Sequence, residues 1–518
     1  MKSSGPAKPA GHTKPAGLMN PARIALFAAM LLASTTAFAQ TALRIGLQDD
    51  PDVLDPHRAR TYVSRLVFTA LCDKLVDATP DLKIVPQLAT AWTWSDDALT
   101  LTMTLKSGVT FHDGTPFDAE AVKFNLDRAR TMPESLRKSE VSSIEAVTAL
   151  DPSTVAIKLK QPDATLLAQF ADRAGMMLSP KASAAGDVNA NPVCSGPYKF
   201  VSRVQNDRIT VERFANYWNK DAYHFDRIVF FSIPDTTVRF ANLRSGDLDM
   251  IERMAATDVK TAKADSKLSV AIGPGLGYMA IDFNITNGDR AKNPAGQDAR
   301  VRRAFGLAID RQVISDVVFE GLYPPTAQPF PPASPYAVKQ PLPPRDLEKA
   351  KALLKEAGVP LPIKLEFKVA NNPTMQQVAQ IVQAMTAEAG FEINLLASDF
   401  ATQLKEMQQG NFESDIRAWS GRIDPDGNIH QFVTCKGNLN DGRYCNPEAD
   451  RLLNEARTTS DEAKRREKYA AVLDIVQKDA PLIYLYIEPR VFAMTKKLQG
   501  FTPHPDGMVR FTNLKMGS

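Results

Sequence analysis

Between residues 363 and 395 the chain changes its apolar period from two to about 3.6 and back again. Ile363–Val369 alternates as a strand. Thr374–Ala389 carries Val378, Ile381, Val382 and Met385 on one helical face, and Phe391–Leu395 alternates again. The connections are too short for anything but a strand–helix–strand unit, and such a unit places its two strands parallel. The chain is therefore of the α/β class. A helix before this unit starts at Asp346, a capping residue, repeats Leu347, Ala350, Leu353 and Leu354 at three-to-four spacing, and stops at Gly358 and Pro360.

Upstream, the texture is β-rich. Leu43–Leu47 alternates as a strand before a turn-rich D-D-P-D-V-L-D-P-H. Leu99–Leu105 places Leu99, Leu101, Met103 and Leu105 on one face and threonines on the other, the pattern of a half-buried strand. Asp118 caps a helix over Ala119–Arg130. Strands follow over 197–233, and a helix Val238–Ser245 ends at Gly246. Pro324–Pro344 holds nine prolines in 21 residues and reads as an extended surface connection, because proline lacks the N–H that a helix or central strand needs. The glycines of Gly273-Pro274-Gly275-Leu276-Gly277 lie before an expected strand Tyr278–Phe283 with no helix after it. That reads as a turn and not as a phosphate cradle.

The N-terminus reads as an export signal. Ile24–Ser34 is apolar but shorter than the roughly 20 residues that span a bilayer. It follows Arg23 and precedes Ala37-Phe38-Ala39, a small-x-small site, so cleavage is expected after Ala39. Translation could start at Met1 or at Met19, which opens a segment of more usual signal length. Four of the 62 basic residues (Lys2, Lys8, Lys14, Arg23) and none of the 59 acidic ones fall in the first 39. The body is thus close to neutral, with no electrostatic case for nucleic acid or anionic membrane. With 44% apolar and 23% charged residues over 518 positions, two or three soluble domains are expected.

An even number of cysteines in an exported chain points to disulfides, and four thiols allow three pairings. Cys435 and Cys445 bound a short polar loop rich in Gly and Asn, which leaves Cys72 for Cys194. No C-x-x-C occurs and His57, His112, His224, His430 and His504 are scattered singly, so no metal site and no cofactor is expected. G-x-S-x-G, H-E-x-x-H and G-x-x-x-x-G-K-[ST] are absent. Asp424 and Asp426 in D-P-D-G read as a turn, and His112-Asp113 as scaffold; no catalytic residue is assigned.

Several motifs in order carry a resemblance. Pro86-Gln87-Leu88-Ala89 with Trp92 leads to Val109-Thr110-Phe111-His112-Asp113-Gly114-Thr115-Pro116-Phe117. Then come Cys194-Ser195-Gly196-Pro197-Tyr198, Asn216-Tyr217-Trp218, Leu243-Arg244-Ser245-Gly246-Asp247-Leu248-Asp249, Ala308-Ile309-Asp310-Arg311 and Asn446-Pro447-Glu448. Over about 43–500 the chain resembles family 5 of the bacterial extracellular solute-binding proteins, the dipeptide-, oligopeptide- and nickel-type receptors of ABC importers. The resemblance implies a two-lobed periplasmic-binding-protein fold with a hinge that closes on ligand. One lobe would hold domain I (40–75, 190–282 and 497–518) and domain II (76–189), the other domain III (283–496).

It also implies a monomer in the periplasm that captures a peptide or similar solute and delivers it to a permease and ATPase complex at the inner membrane. The alternatives are a receptor for a sensory partner and a periplasmic hydrolase. The ligand would lie between Leu54, Asp55, His57 and Tyr278 on one side and Trp419, Ser420, Gly421, Arg422 and Asp424 on the other. In peptide-binding relatives an Asp shortly after the Trp holds the ligand's ammonium. Here alignment on the following Asp-Pro places Arg422 near that position. An arginine there would fork onto a carboxylate or other anion, whereas Asp424 in its place would take an amine.

Overall fold

The computed structural model describes residues 41–517, so the expected leader and its cleavage site lie outside the described residues. The first strand, β1 (Ala42–Leu47), leads to a helix over Tyr62–Leu71 capped by the Thr61 side chain. A small hairpin, β2 (Val76–Ala78) and β3 (Ile84–Pro86), precedes β4 (Ala89–Trp94), β5 (Thr100–Leu105), β6 (Ile144–Asp151) and β7 (Thr154–Leu159). These last four form an antiparallel sheet in the order β4-β5-β7-β6. The alternation in β5 does what its pattern requires: Leu101, Met103 and Leu105 are buried and Thr104 is exposed. The Ala119–Thr131 helix, with Asp118 accepting from the Ala121 N–H, packs over this sheet around Val122 and Leu126.

The remaining strands build one ten-stranded sheet. β8 (Tyr198–Val204), β9 (Arg208–Arg213), β10 (Arg227–Ser232) and β11 (Met250–Ile251) come before the long β12 (Leu268–Phe283). β13 (Ile363–Ala370), β14 (Phe391–Ser398), β15 (Ser414–Trp419) and a second long strand, β16 (Leu482–Thr495), complete it. The order is β14-β13-β15-β12-β16-β11-β1-β10-β9-β8. β13 and β14 pair in parallel across the helix Pro373–Ala387, as the apolar periods require. The helix Leu347–Ala357 is capped by Asp346 and ends at Gly358 with φ 67°. The helix before β11 begins at Thr236, two residues earlier than the sequence pattern placed it, because Asp235 caps it.

β12 and β16 run through the middle of this sheet and join its two halves: the half with β1 and β8–β11, to which the four-stranded sheet is attached, is the first lobe, and the half with β13–β15 is the second. The C-terminal part of β12 pairs with β15, while its N-terminal part pairs with the end of β16 that also meets β11. Ile45, Phe68, Tyr198 and Ile228 fill one half; Phe305, Phe367, Val378 and Val382 fill the other.

The glycine run expected to turn at 273–277 does not turn. It lies inside β12, with a register shift between Gly273 and Gly277. A Cβ at Gly275 would overlap the Glu488 carbonyl oxygen, and one at Gly277 the Trp419 carbonyl oxygen. Glycine is there because two backbones pass too closely for any side chain.

The proline-rich segment has no helix or extended strand. It touches the sheet through an isolated bridge between Pro325 and Tyr486 and tucks Phe330 edge-on against Tyr469, 5.4 Å between ring centroids. Both disulfides form: Cys72 joins Cys194 across 122 residues, and Cys435 joins Cys445 across 10. No helix among the described residues is long and apolar enough to cross a membrane.

Candidate functional site

β15 is the strand from which the site is built. Strand alternation puts Arg417 and Trp419 on one face, where Phe432 meets both: its ring is 4.9 Å from that of Trp419 and 5.9 Å from the Arg417 guanidinium. β13 pairs with β15 only at Ser414 and Asp415, so from Ile416 to Trp419 that side of the strand has no strand partner. Ala418 lies on this stretch. It lines two cavities, of about 120 and 40 Å³, and both are closed from the first lobe by Arg253.

The first lobe reaches these cavities from three places. Asp49 follows β1, Arg60 to Tyr62 lead into the first helix, and Arg253 follows β11 with a positive φ of 47°. Arg253 pairs with Glu488 at 2.8 Å and stacks over the Tyr62 ring at 4.5 Å. Arg60 reaches across to Asp441 at 2.8 Å, and Arg417 shares that carboxylate at 3.0 Å while also meeting Asp282. The smaller cavity is lined by Arg60, Arg253 and Arg417 against one carboxylate, Asp49. Burial pushes Asp49 up to about 6, with Arg253 pulling it back down. Close by, Asp415 is buried next to Asp441 without a hydrogen-bond partner, and its pKa rises well above the usual range.

Leu54, Asp55 and His57 are buried inside the first lobe. The Leu54 N–H donates to Asn189, and Asp55 holds Arg128 through two hydrogen bonds of 2.6 and 3.0 Å. Burial and the Arg128 charge lower His57 to about 3, so it is neutral. Tyr278 sits opposite Trp419 in register and donates its hydroxyl to the Asn428 carbonyl, 3.0 Å away. Trp419 and Ser420 line the smaller cavity; the Trp419 indole N–H donates to Asn428 at 2.9 Å.

Gly421 has φ 81° and turns the chain away, its carbonyl accepting from Arg422. The Arg422 guanidinium sits over Trp419, 4.2 Å from the ring centroid, and its Nε pairs with Asp172 of the other lobe. Asp424 is held by Arg465 through bonds of 2.7 and 3.1 Å. The anion facing Arg422 is thus an intramolecular carboxylate, and Asp424 already has a cation.

Arg60, Arg253, Arg417 and Asp49 were not read from the sequence as site residues. The one available signal was the two-residue spacing of Arg417 and Trp419, which places them on a common face.

The lobes meet beyond the cavities as well. Arg65 donates to the Ser420 hydroxyl at 3.0 Å, Gln431 to Glu140 at 3.2 Å, and Arg457 to the Ser139 carbonyl at 2.8 Å. The arrangement is a closed cleft between two lobes joined by paired strands, with an open strand edge, aromatic walls and an excess of guanidinium groups. It carries features that position a small polar solute.

Comparison with known proteins agrees. Residues 83–440 match the family described as bacterial extracellular solute-binding proteins, family 5. The glutathione-binding protein GsiB of Pectobacterium atrosepticum is 31% identical over 93% of this chain and 95% of its own length. The PBP AgaA from A. tumefaciens R10, solved with agropinic acid, is 26% identical with a TM-score of 0.84, covering 92% of this chain and 99% of that one. DppA from Helicobacter pylori, solved with the peptide STSA, shares the fold at TM-score 0.84 and 24% identity, covering 94% and 100%. With a family match over most of its length and relatives aligned end to end, the chain belongs to the bacterial extracellular solute-binding proteins, family 5.

Proposed function

We propose that this protein is the periplasmic solute receptor of an ABC importer and that it takes a small peptide-like solute bearing at least one carboxylate. The carrying observation is the wall of the smaller cavity: Arg60, Arg253 and Arg417 all face it, and Asp49 is the one carboxylate among its lining residues, since Asp441, Asp282 and Glu488, which pair with these arginines, are not on that wall. The free edge of β15 beside Ala418 supports backbone hydrogen bonding to an extended, amide-containing ligand in the manner of an added strand. Trp419, Tyr62 and Phe432 supply flat apolar walls. Glutathione, the ligand in the name of the GsiB relative, has this chemistry: two amides, two carboxylates and one ammonium.

In this reading the signal is removed after Ala39, the mature protein works as a monomer, and the closed form docks on a permease. Of the residues expected at the ligand, Trp419 and Ser420 are proposed to touch it. Leu54, Asp55, His57, Tyr278, Gly421, Arg422 and Asp424 are proposed to shape and brace the cleft around it.

Calorimetry with glutathione, neutral tripeptides and a diamine tests the reading. Saturable binding of a carboxylate-bearing peptide, recovered intact, is expected, with Arg417→Met weakening it roughly 10- to 150-fold, the loss of one charge-assisted bond. Preference for the diamine, or consumption of the peptide, overturns it.

A further inference from the structure

A further cavity lies wholly within the second lobe, apart from the cleft. It measures about 320 Å³ and is formed by the helices Ala299–Leu307, Leu347–Ala357 and Glu462–Asp479, the start of β16, and the proline-rich segment. Its apolar wall is Leu353, Leu473 and Val476. Its polar wall is Arg302, Arg303, Arg311 and Lys349, and no Asp or Glu lines it.

These cations are not equivalent. Arg302 is satisfied, donating to the carbonyls of Ala295, Gly296, Asp479 and Ala480. Arg311 is not. It is only 8% exposed, its Nε donates to the Tyr484 carbonyl at 2.7 Å, and its two terminal nitrogens have no protein partner among the described residues. Burial lowers its pKa to about 10, which still leaves it charged. The Tyr484 hydroxyl and the Arg303 Nε are buried without partners in the same wall. Arg311 is enclosed with no carboxylate in contact and its terminal nitrogens open to the cavity, so an anion delivered from outside gains a charge-assisted pair there.

We propose that this cavity is a second ligand site, taking a small amphipathic carboxylate with its head on Arg311 and its tail along Leu353, Leu473 and Val476. The polar wall forks onto the head group and the leucines exclude water from it, so neither a cation nor a tailless anion fits both walls.

Calorimetry on the whole mature protein tests this with sodium octanoate as probe, octyltrimethylammonium as the charge control and acetate as the tail control. Octanoate is expected to saturate one site and to bind at least about tenfold tighter than either control. Arg311→Met should weaken octanoate about 10- to 150-fold without lowering the melting temperature measured in its absence, since the variant removes an unpaired buried charge. Gln477→Glu, which adds a like charge to the rim with no change of shape, should weaken octanoate as well. If Arg311→Met does not fold, Gln477→Glu decides alone. Octanoate binding no tighter than the controls, or binding indifferent to Gln477→Glu, overturns the proposal.

Discussion

Arg422 Nε lies 3.0 Å from Asp172 Oδ2, and this buried ion pair joins the two lobes. Asp172 also holds Arg65 at 2.8 Å within its own lobe. Burial works to raise the Asp172 carboxyl, but Arg422, Arg65 and Arg173 together keep it far below the usual carboxylate range. The pair therefore acts as a latch on the closed form. Arg422→Gln breaks this crossing pair and leaves Asp172 paired with Arg65. Its ligand-free protein is expected to show a larger radius of gyration in small-angle scattering, and its solute affinity to fall about tenfold. Asp424→Asn breaks a pair inside one lobe, so it should lower the melting temperature and leave the scattering curve unchanged. Identical scattering from wild type and Arg422→Gln would falsify the latch.

Asp49 sets a pH dependence on capture. Its carboxyl, raised to about 6 by burial, faces Arg253, Glu252, Arg239 and Asp399. Below pH 6 it is neutral and does not oppose a ligand carboxylate; above pH 6 its negative charge does. Affinity for an anionic solute should thus fall about 3- to 10-fold between pH 5 and 7.5, the effect of one partly screened charge. Asp49→Asn should flatten the profile, and calorimetry at three pH values reads it.

Close passage of backbones makes Gly275 irreplaceable. Gly275→Ala forces its Cβ into the Glu488 carbonyl, so β12 and β16 must move apart at the point where they join the lobes. A loss of about 2–4 kcal/mol in urea unfolding is expected. Gly358→Ala serves as the comparison, since its Cβ meets nothing and only its positive φ of 67° is penalised, at about 1 kcal/mol.

The two disulfides should differ in worth. Closing the 122-residue loop at Cys72–Cys194 restricts the unfolded chain by about 4–5 kcal/mol, and the 10-residue loop at Cys435–Cys445 by about 2.5–3 kcal/mol. Paired Cys→Ser variants compared by urea denaturation check the order. A larger loss from the short loop would contradict it.

Much of the fold was legible because it is local. Asp118, Asp346 and Gly246 announce helix ends within one turn, and the apolar period of 363–395 contains its own strand pairing. The Gly273–Gly277 run misleads because the reason for its glycines is another backbone, supplied by residues near 419 and 488. The site was less legible for the same cause. Arg422 stands out in sequence, but its partner Asp172 comes from a distant segment of the other lobe, and Asp424 finds Arg465 on a later helix. Arg60 and Arg253 sit among ordinary charged residues; only folding brings them to the same cavity as Arg417.

The order of strands also fixes when this protein can acquire its structure. β1, made first, reaches the rest of the central sheet through β11, and β11 has no second neighbour until β16 arrives near the end of synthesis. Neither half of the sheet is finished before residues 482–495 are present, so the nascent chain has no complete half to lock prematurely. The four-stranded sheet needs nothing from that end, because its buried core is made of residues 75–177, so the long sheet alone waits on the last strand and the two parts of the chain can become rigid at different times.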